Sequence, residues 1–292
     1  MTPQSRPLIA ALWMIGAIFS FSAMAVSGRA LATELDSFEM MMYRSFIGLF
    51  IVLSVGFATG KIREVRRDRL PLHLLRNLSH FTGQNLWFTA LPLITLAQLF
   101  ALEFTMPIWV VIFALIFAGE RLNRPRFLAL VLGFAGALLV ARPDVGGDPM
   151  GLIFAAASAI AFAGSIVTTK LLTRTETVLG VLFWLTVMQA VMGVIATCWD
   201  GDVAWPTQQA WPWVAVIGCA GLLAHTCVTN ALTVAPSIVV TPMDFLRLPV
   251  IAVIGTMFYA EPLNIWVLLG AGLIFIGNYA NLFSETRATR RA

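Results

Sequence analysis

Ten long apolar runs restrict what this chain can become. They fall near residues 8–29, 38–59, 71–91, 94–118, 125–142, 150–172, 178–199, 210–232, 237–259 and 263–283, each bounded by charge, Pro or a polar cluster. A helix that crosses a bilayer needs about 20 apolar residues. Ten of them take up roughly 200 positions in a chain of 292, leaving only ends and loops. The runs are continuous and show no two-residue alternation, which excludes a transmembrane β-barrel. Apolar residues make up 59% and charged residues 12%, with a mean hydropathy of +0.85. Soluble domains carry about 25% charged residues. A chain this apolar cannot cover its own surface in water, so an ordinary soluble enzyme, a disordered chain and a secreted disulfide scaffold are excluded. The expected fold is all-α and integral to a membrane, with ten transmembrane helices.

Punctuation is weakest at Leu91-Pro92-Leu93-Ile94-Thr95 and at Val234-Ala235-Pro236-Ser237. The first run follows Arg6 and contains Ala23-Met24-Ala25, which imitates a signal-peptide cleavage site. It is read as a retained span, because the repeat described below makes it the counterpart of an internal one.

Basic residues set the orientation. With the N-terminus inside, the inner segments hold Arg6, the cluster Lys61, Arg63, Arg66, Arg67 and Arg69, then Arg121, Arg124 and Arg126, Lys170 and Arg174, and Arg287, Arg290 and Arg291. The outer loops hold only Arg29 and Arg142, while Arg44, Arg76 and Arg247 lie within runs. Both termini are therefore expected in the cytoplasm. The net charge of +4 follows from this bias toward anionic headgroups and calls for no nucleic-acid partner.

Sliding the chain against itself by 141 positions aligns Arg29 with Lys170, Phe21 with Phe162, Ala90-Leu91 with Ala231-Leu232, Glu103-Phe104 with Asp244-Phe245, Glu120 with Glu261 and Gly136 with Gly277. One offset thus relates residues 1–146 to residues 147–292, each half carrying five runs. Five is odd, so the second half must enter the membrane from the opposite side. Two inverted five-helix repeats can exchange conformations around a midplane site, the arrangement behind alternating access.

The first half carries Ala90-Leu91, a Pro-bearing span and then Phe117-Ala118-Gly119-Glu120-Arg121-Leu122; the second carries Ala231-Leu232, Pro249 and Tyr259-Ala260-Glu261-Pro262-Leu263. This doubled pattern resembles the EamA-type repeat of the drug/metabolite transporter superfamily. Pro107 and Pro249 stand one residue off the common register. The resemblance implies a ten-helix secondary transporter of small metabolites in a bacterial inner membrane, often acting outward. Within the superfamily the nearest likeness is to the amino-acid exporters, including the aromatic branch.

Ionisable groups inside spans are costly and suspect as functional. By helical rise, Glu103 lies about 14 Å below the outer face, Arg247 about 15 Å above the inner face and Arg44 about 9 Å from the outer side. Asp244 and Arg247 are three residues apart on one helix face and can neutralise each other. They serve either to fix helix register or to meet substrate, with Arg247 facing a carboxylate and Glu103 or Asp244 an ammonium or a proton. His73, Asn77, His80 and Gln84 stripe one face of the third run, and His225 and Thr229 one face of the eighth. Such stripes cannot face lipid cheaply. His80, Gln84, His225 and Thr229 are expected to line a cavity or a helix contact, and His73 to lie near the interface.

Pro107, Pro242 and Pro249 interrupt the helical ladder of the fourth and ninth runs. Gly133, Gly136, Gly270, Gly272 and Gly277 permit close packing of the fifth and tenth. Trp199, Trp205, Trp211 and Trp213 read as an interfacial belt, while Trp13, Trp87, Trp109 and Trp184 lie within runs. Cys198, Cys219 and Cys227 fit no metal site, and no nucleotide-binding or hydrolase motif is present. No cofactor or metal is expected. The chain reads as a carrier, monomeric or weakly dimeric, exchanging amino acids or another small molecule, with or without protons. Drugs, organic cations and nucleosides stay open as substrates. An intramembrane lipid-modifying enzyme and a passive channel stay open as other classes.

Overall fold

The structure is a computed structural model that describes residues 6–117, 124–142, 146–172, 175–201, 203–234, 243–244 and 246–289. Helices α1 (Pro7–Leu31) and α2 (Ser37–Ala58) are followed by a short 3-10 turn at Lys61–Glu64 and by α3 (Leu70–Ala90). The fourth apolar run forms two helices, α4 (Leu96–Glu103) and α5 (Met106–Phe117), and α6 (Arg124–Val140) follows. Next come α7 (Pro149–Leu172), α8 (Val178–Asp200) and α9 (Trp211–Val234), then α10 (Arg247–Tyr259) and α11 (Ile265–Thr289). There is no strand among the described residues.

Local chemistry sets the helix ends. Pro7 and Pro71 occupy first turns, where a missing N–H costs nothing. Asp36 and Glu39 close a capping box on α2, and Thr95 and Gln98 close one on α4, each satisfying orphan N–H groups. Gly201 ends α8 in the left-handed region at φ 78°.

Among the described residues, six stretches are long and apolar enough to cross a membrane: Leu8–Leu31, Ser37–Ala58, Leu96–Phe113, Pro149–Thr169, Val178–Trp199 and Trp211–Val228. Leu130–Val140, Arg247–Tyr259 and Ile265–Ala280 are shorter apolar helices. Phe50 and Leu138 are each 72% exposed, whereas His73, Asn77 and Gln98 are 0% exposed. Large apolar side chains cover the exterior, as lipid requires, while others, among them Phe88, Leu99, Phe100 and Leu102, pack inside with the buried polar groups.

The four most extensive helix pairs are α1 with α9, α6 with α11, α3 with α7 and α2 with α8, and lesser contacts join α2 with α9, α5 with α7 and α4 with α10. Exchanging the helices of one five-run half for those of the other maps the four most extensive pairs onto themselves. A shift of 141 also lays Met106, the first residue of α5, on Arg247, the first of α10. Thr105 and Leu246 are the matching turn residues ahead of them.

The break between α4 and α5 is supported from outside. Asn278 Nδ2 on α11 donates to the Phe104 carbonyl at 2.9 Å, giving a backbone acceptor the partner that water would provide elsewhere. Pro107 and Pro249 lie in the first turns of α5 and α10, where the lost N–H is one of the helix's own orphans. Their role is thus to start a helix after an interruption. Pro242 lies outside the described residues.

Arg29 at the end of α1 forms an ion pair with Glu261 and donates to the Leu91 and Ile94 carbonyls. Glu261 Oε2 accepts from the Leu96 N–H at 2.9 Å. One ion pair thereby joins α1, the α3–α4 turn and the α10–α11 loop. At the α6–α11 crossing, a Cβ on Gly136 would run into the Gly270 carbonyl, and one on Gly270 into the Gly136 carbonyl. Gly133 packs instead on Ile108, and nothing among the described residues lies within 4 Å of a Cβ on Gly272.

Gly136→Val should therefore force α6 from α11 and lower thermal stability in detergent, by about 1–3 kcal/mol if overpacking is typical. Gly272→Ala should leave it unchanged. Equal melting temperatures for both variants would show that the crossing is not close-packed.

Candidate functional site

Two groups of buried charge occupy the interior. The first is built on the helix break. Glu103 closes α4, Arg247 opens α10 and Asp244 lies one turn before Arg247. Arg247 Nη2 lies 2.9 Å from Glu103 Oε1 and 3.4 Å from Asp244 Oδ2. The other Glu103 oxygen accepts from Trp87 Nε1 at 2.9 Å. The guanidinium carbon sits over the rings of Phe21, Phe100 and Phe104 at 4.5, 4.9 and 5.1 Å. These faces attract a cation where water is absent. Arg247 is 3% exposed, yet its Nε has no hydrogen-bond partner among the described residues, nor has Asp244 Oδ1.

Sequence spacing paired Asp244 with Arg247 and left Glu103 without a partner on its own helix. The fold supplies one, by bringing α4 against α10. Arg247, read from sequence as open to a substrate carboxylate, is already engaged by two carboxylates. The triad holds two negative charges and one positive.

The second group lies between α2, α3, α8 and α9. Arg44 and Arg76 are 8% and 6% exposed. The Arg44 guanidinium packs on α9 at Gly221, where no side chain intervenes, and its one hydrogen-bond contact among the described residues is Nη1 to the Met41 sulfur at 3.8 Å. Arg76 donates to Thr169 Oγ1 at 3.1 Å and to Asn77 Oδ1 at 2.9 Å. Gln189 Nε2 reaches the Asn77 carbonyl at 3.4 Å. The rings of His80 and His225 lie 5.7 Å apart. A small, partly open cleft has Arg44, Ser45, Thr186, Gln189, Gly221 and His225 in its lining.

Phe21 joins the two groups. It lies under Arg247 and meets His225 edge-on at 5.9 Å. Phe162, its counterpart 141 residues on, lies 5.7 Å from His80. The histidine pair is thus flanked by one Phe from each half.

Of the residues singled out by sequence, Arg44, His80 and His225 come together here. Gln84 is buried on the same helix as His80, with Oε1 unpartnered among the described residues. Glu103, Asp244 and Arg247 form the other group. The side chain of Thr229 lies outside the described residues. His73, expected near the interface, is 0% exposed against Trp184, whose indole N–H holds the Arg66 carbonyl at 2.7 Å. Arg76 was not singled out, although it falls three residues after His73 and four before His80, the spacing of that stripe. Trp87, Gln189 and Phe21 carry no motif, and only the packing brings them in.

The EamA-like transporter family matches this chain twice, over residues 8–142 and 149–283. The chain belongs to that family. It is similar to an S-adenosylmethionine uptake transporter of Rickettsia felis, with 25% identity covering 96% of this chain and 94% of the relative. A riboflavin transporter of Brucella anthropi is 28% identical, covering 95% and 99%. The pseudopaline exporter CntI of Pseudomonas aeruginosa is 24% identical, covering 89% and 91%. One solved crystal structure shares the fold, with a TM-score of 0.63 at 20% identity and coverage of 96% of this chain and 98% of that one. This EamA protein is therefore a multi-pass membrane protein whose relatives carry small metabolites.

Removing one member of a buried ion pair strands the other, typically at about 3–5 kcal/mol. Arg247→Gln alone should destabilise the detergent-purified protein more than Arg247→Gln combined with Glu103→Gln. Additive losses in a thermal-unfolding double-mutant cycle would show that the two side chains do not interact.

Proposed function

We propose that this EamA protein is a secondary transporter that moves small metabolites by alternating access, with residues 1–146 and 147–292 as two inverted five-helix repeats. The self-mapping set of helix pairs supports this arrangement, and so does the doubled family match at the same 141-residue spacing. In this reading ten spans cross a bacterial inner membrane, with both termini in the cytoplasm.

The observation that carries the functional reading is the buried triad Glu103, Arg247 and Asp244 at the α4–α5 break and the start of α10. Interrupted helices beside a charged midplane site are a recurring way to bind and release a solute. The triad has one carboxylate in excess. Asp244 is its most accessible member, with a side chain 30% exposed. It supplies a pole for an ammonium or a proton. We assign an amino acid as the transported species, of apolar or aromatic side chain given the Phe walls, and export as the direction. Relatives named for both uptake and export share the carrier architecture and differ in cargo.

The test is a substrate panel in proteoliposomes, with amino acids, nucleosides, sugars and organic cations. Saturable uptake of an amino acid with counterflow is expected, and Asp244→Asn or Glu103→Gln should slow it at least about tenfold, the scale of one lost charge-assisted contact. Unsaturable flux without counterflow would indicate a channel. Correctly folded protein that moves none of the panel would overturn the transporter reading. Wild-type rates in both variants would remove the triad from the pathway.

A further inference from the structure

Arg44 and Arg76 are two buried cations. Neither has a carboxylate within ion-pair distance among the described residues. An arginine within a span is costly by insertion scales. Helix register can be set with uncharged groups at less cost, as Asn77 and Gln189 show here by hydrogen bonding across α3 and α8.

We propose that Arg44, backed by Arg76, is the carboxylate-binding pole of the transport cavity. The proposal rests on the transporter reading and names the class of substrate it implies, a metabolite with an obligatory carboxylate. Two observations converge on it. Arg44 lines the cleft beside Gln189 and His225. Its one hydrogen-bond contact among the described residues is a sulfur at 3.8 Å, which leaves most of its N–H donors for a planar, bidentate acceptor. Phe21 and His225 join this pole to the Glu103–Arg247–Asp244 triad. The two groups are opposite in excess charge, +2 against −1, as a zwitterion with an anionic end requires. Arg247 does not serve as the carboxylate ligand, because its own carboxylates occupy it.

The test uses the full chain purified in detergent and reads ligand-induced thermal stabilisation, which needs no transport. The probes are L-amino acids and their carboxamides, pairs that share every group except the carboxylate. Wild-type protein should bind an acid at least about tenfold more tightly than its amide, and Arg44→Gln should abolish that difference. Gln189→Glu offers a second route. It places a carboxylate in the cleft, so it should raise the melting temperature without ligand and remove the stabilisation by acids. Equal affinity for acid and amide, no stabilisation by any acid, or discrimination retained in Arg44→Gln would each overturn the proposal. So would a Gln189→Glu protein that melts lower and still binds acids. Saturable uptake of a neutral solute in proteoliposomes would leave the carrier reading intact while the carboxylate pole failed. Absence of any saturable uptake would instead count against the carrier.

Discussion

A polar atom within the hydrocarbon of a bilayer has no water to turn to, and this requirement organises the molecule. Each helix satisfies its own backbone except where it ends or breaks. The fold supplies a partner at those places. Asn278 takes the Phe104 carbonyl, Gln98 donates to the Gly146 carbonyl, and Arg29 takes the Leu91 and Ile94 carbonyls while Glu261 holds the Leu96 N–H. Each of these side chains comes from an element distant in sequence from the backbone it serves. The turns are thereby cross-links, and an interruption such as Phe104–Thr105 can be kept without exposing backbone to lipid.

Keeping that interruption makes the interior charge affordable. Glu103 ends one short helix and Arg247 begins another, so both stand where the chain changes direction and several elements converge. The rings of Phe21, Phe100 and Phe104 surround the guanidinium. They exclude lipid and water alike, and their faces hold the cation more strongly for being dry. Around Arg44 and Arg76 the surroundings differ. Amides, hydroxyls and imidazoles line the space, and no carboxylate closes it among the described residues. One charge group is satisfied within the protein, and the other is left facing a cleft.

Much of the architecture was legible because the bilayer leaves few choices. Apolar runs of sufficient length had to become helices, and the runs read at 8–29, 38–59, 71–91, 150–172, 178–199 and 210–232 lie within or nearly coincide with helices. The fourth run was read as one span and forms two helices, because its apolar composition conceals a break that only Asn278, on a helix 174 residues away, makes tolerable. The polar stripe on α3 was legible from spacing alone, since residues three and four apart share a helix face. The neighbours of the stripe were not: the ring of His73 meets Trp184 of α8, which no spacing along α3 announces.

Helical content, the apolar exterior, the inward-facing stripes and the 141-residue repetition followed from residue order, because each depends on composition or on spacing along a single helix. Partnership did not. Whether Glu103 stood alone, whether Arg247 was open or engaged, and whether Arg44 met a carboxylate all depended on which helices lie side by side. Apolar surfaces pack against lipid and against one another with little preference, so sequence ranks such pairings poorly. The three-dimensional packing resolves them, joining α4 to α10 to close the triad and enclosing Arg44 among neutral groups.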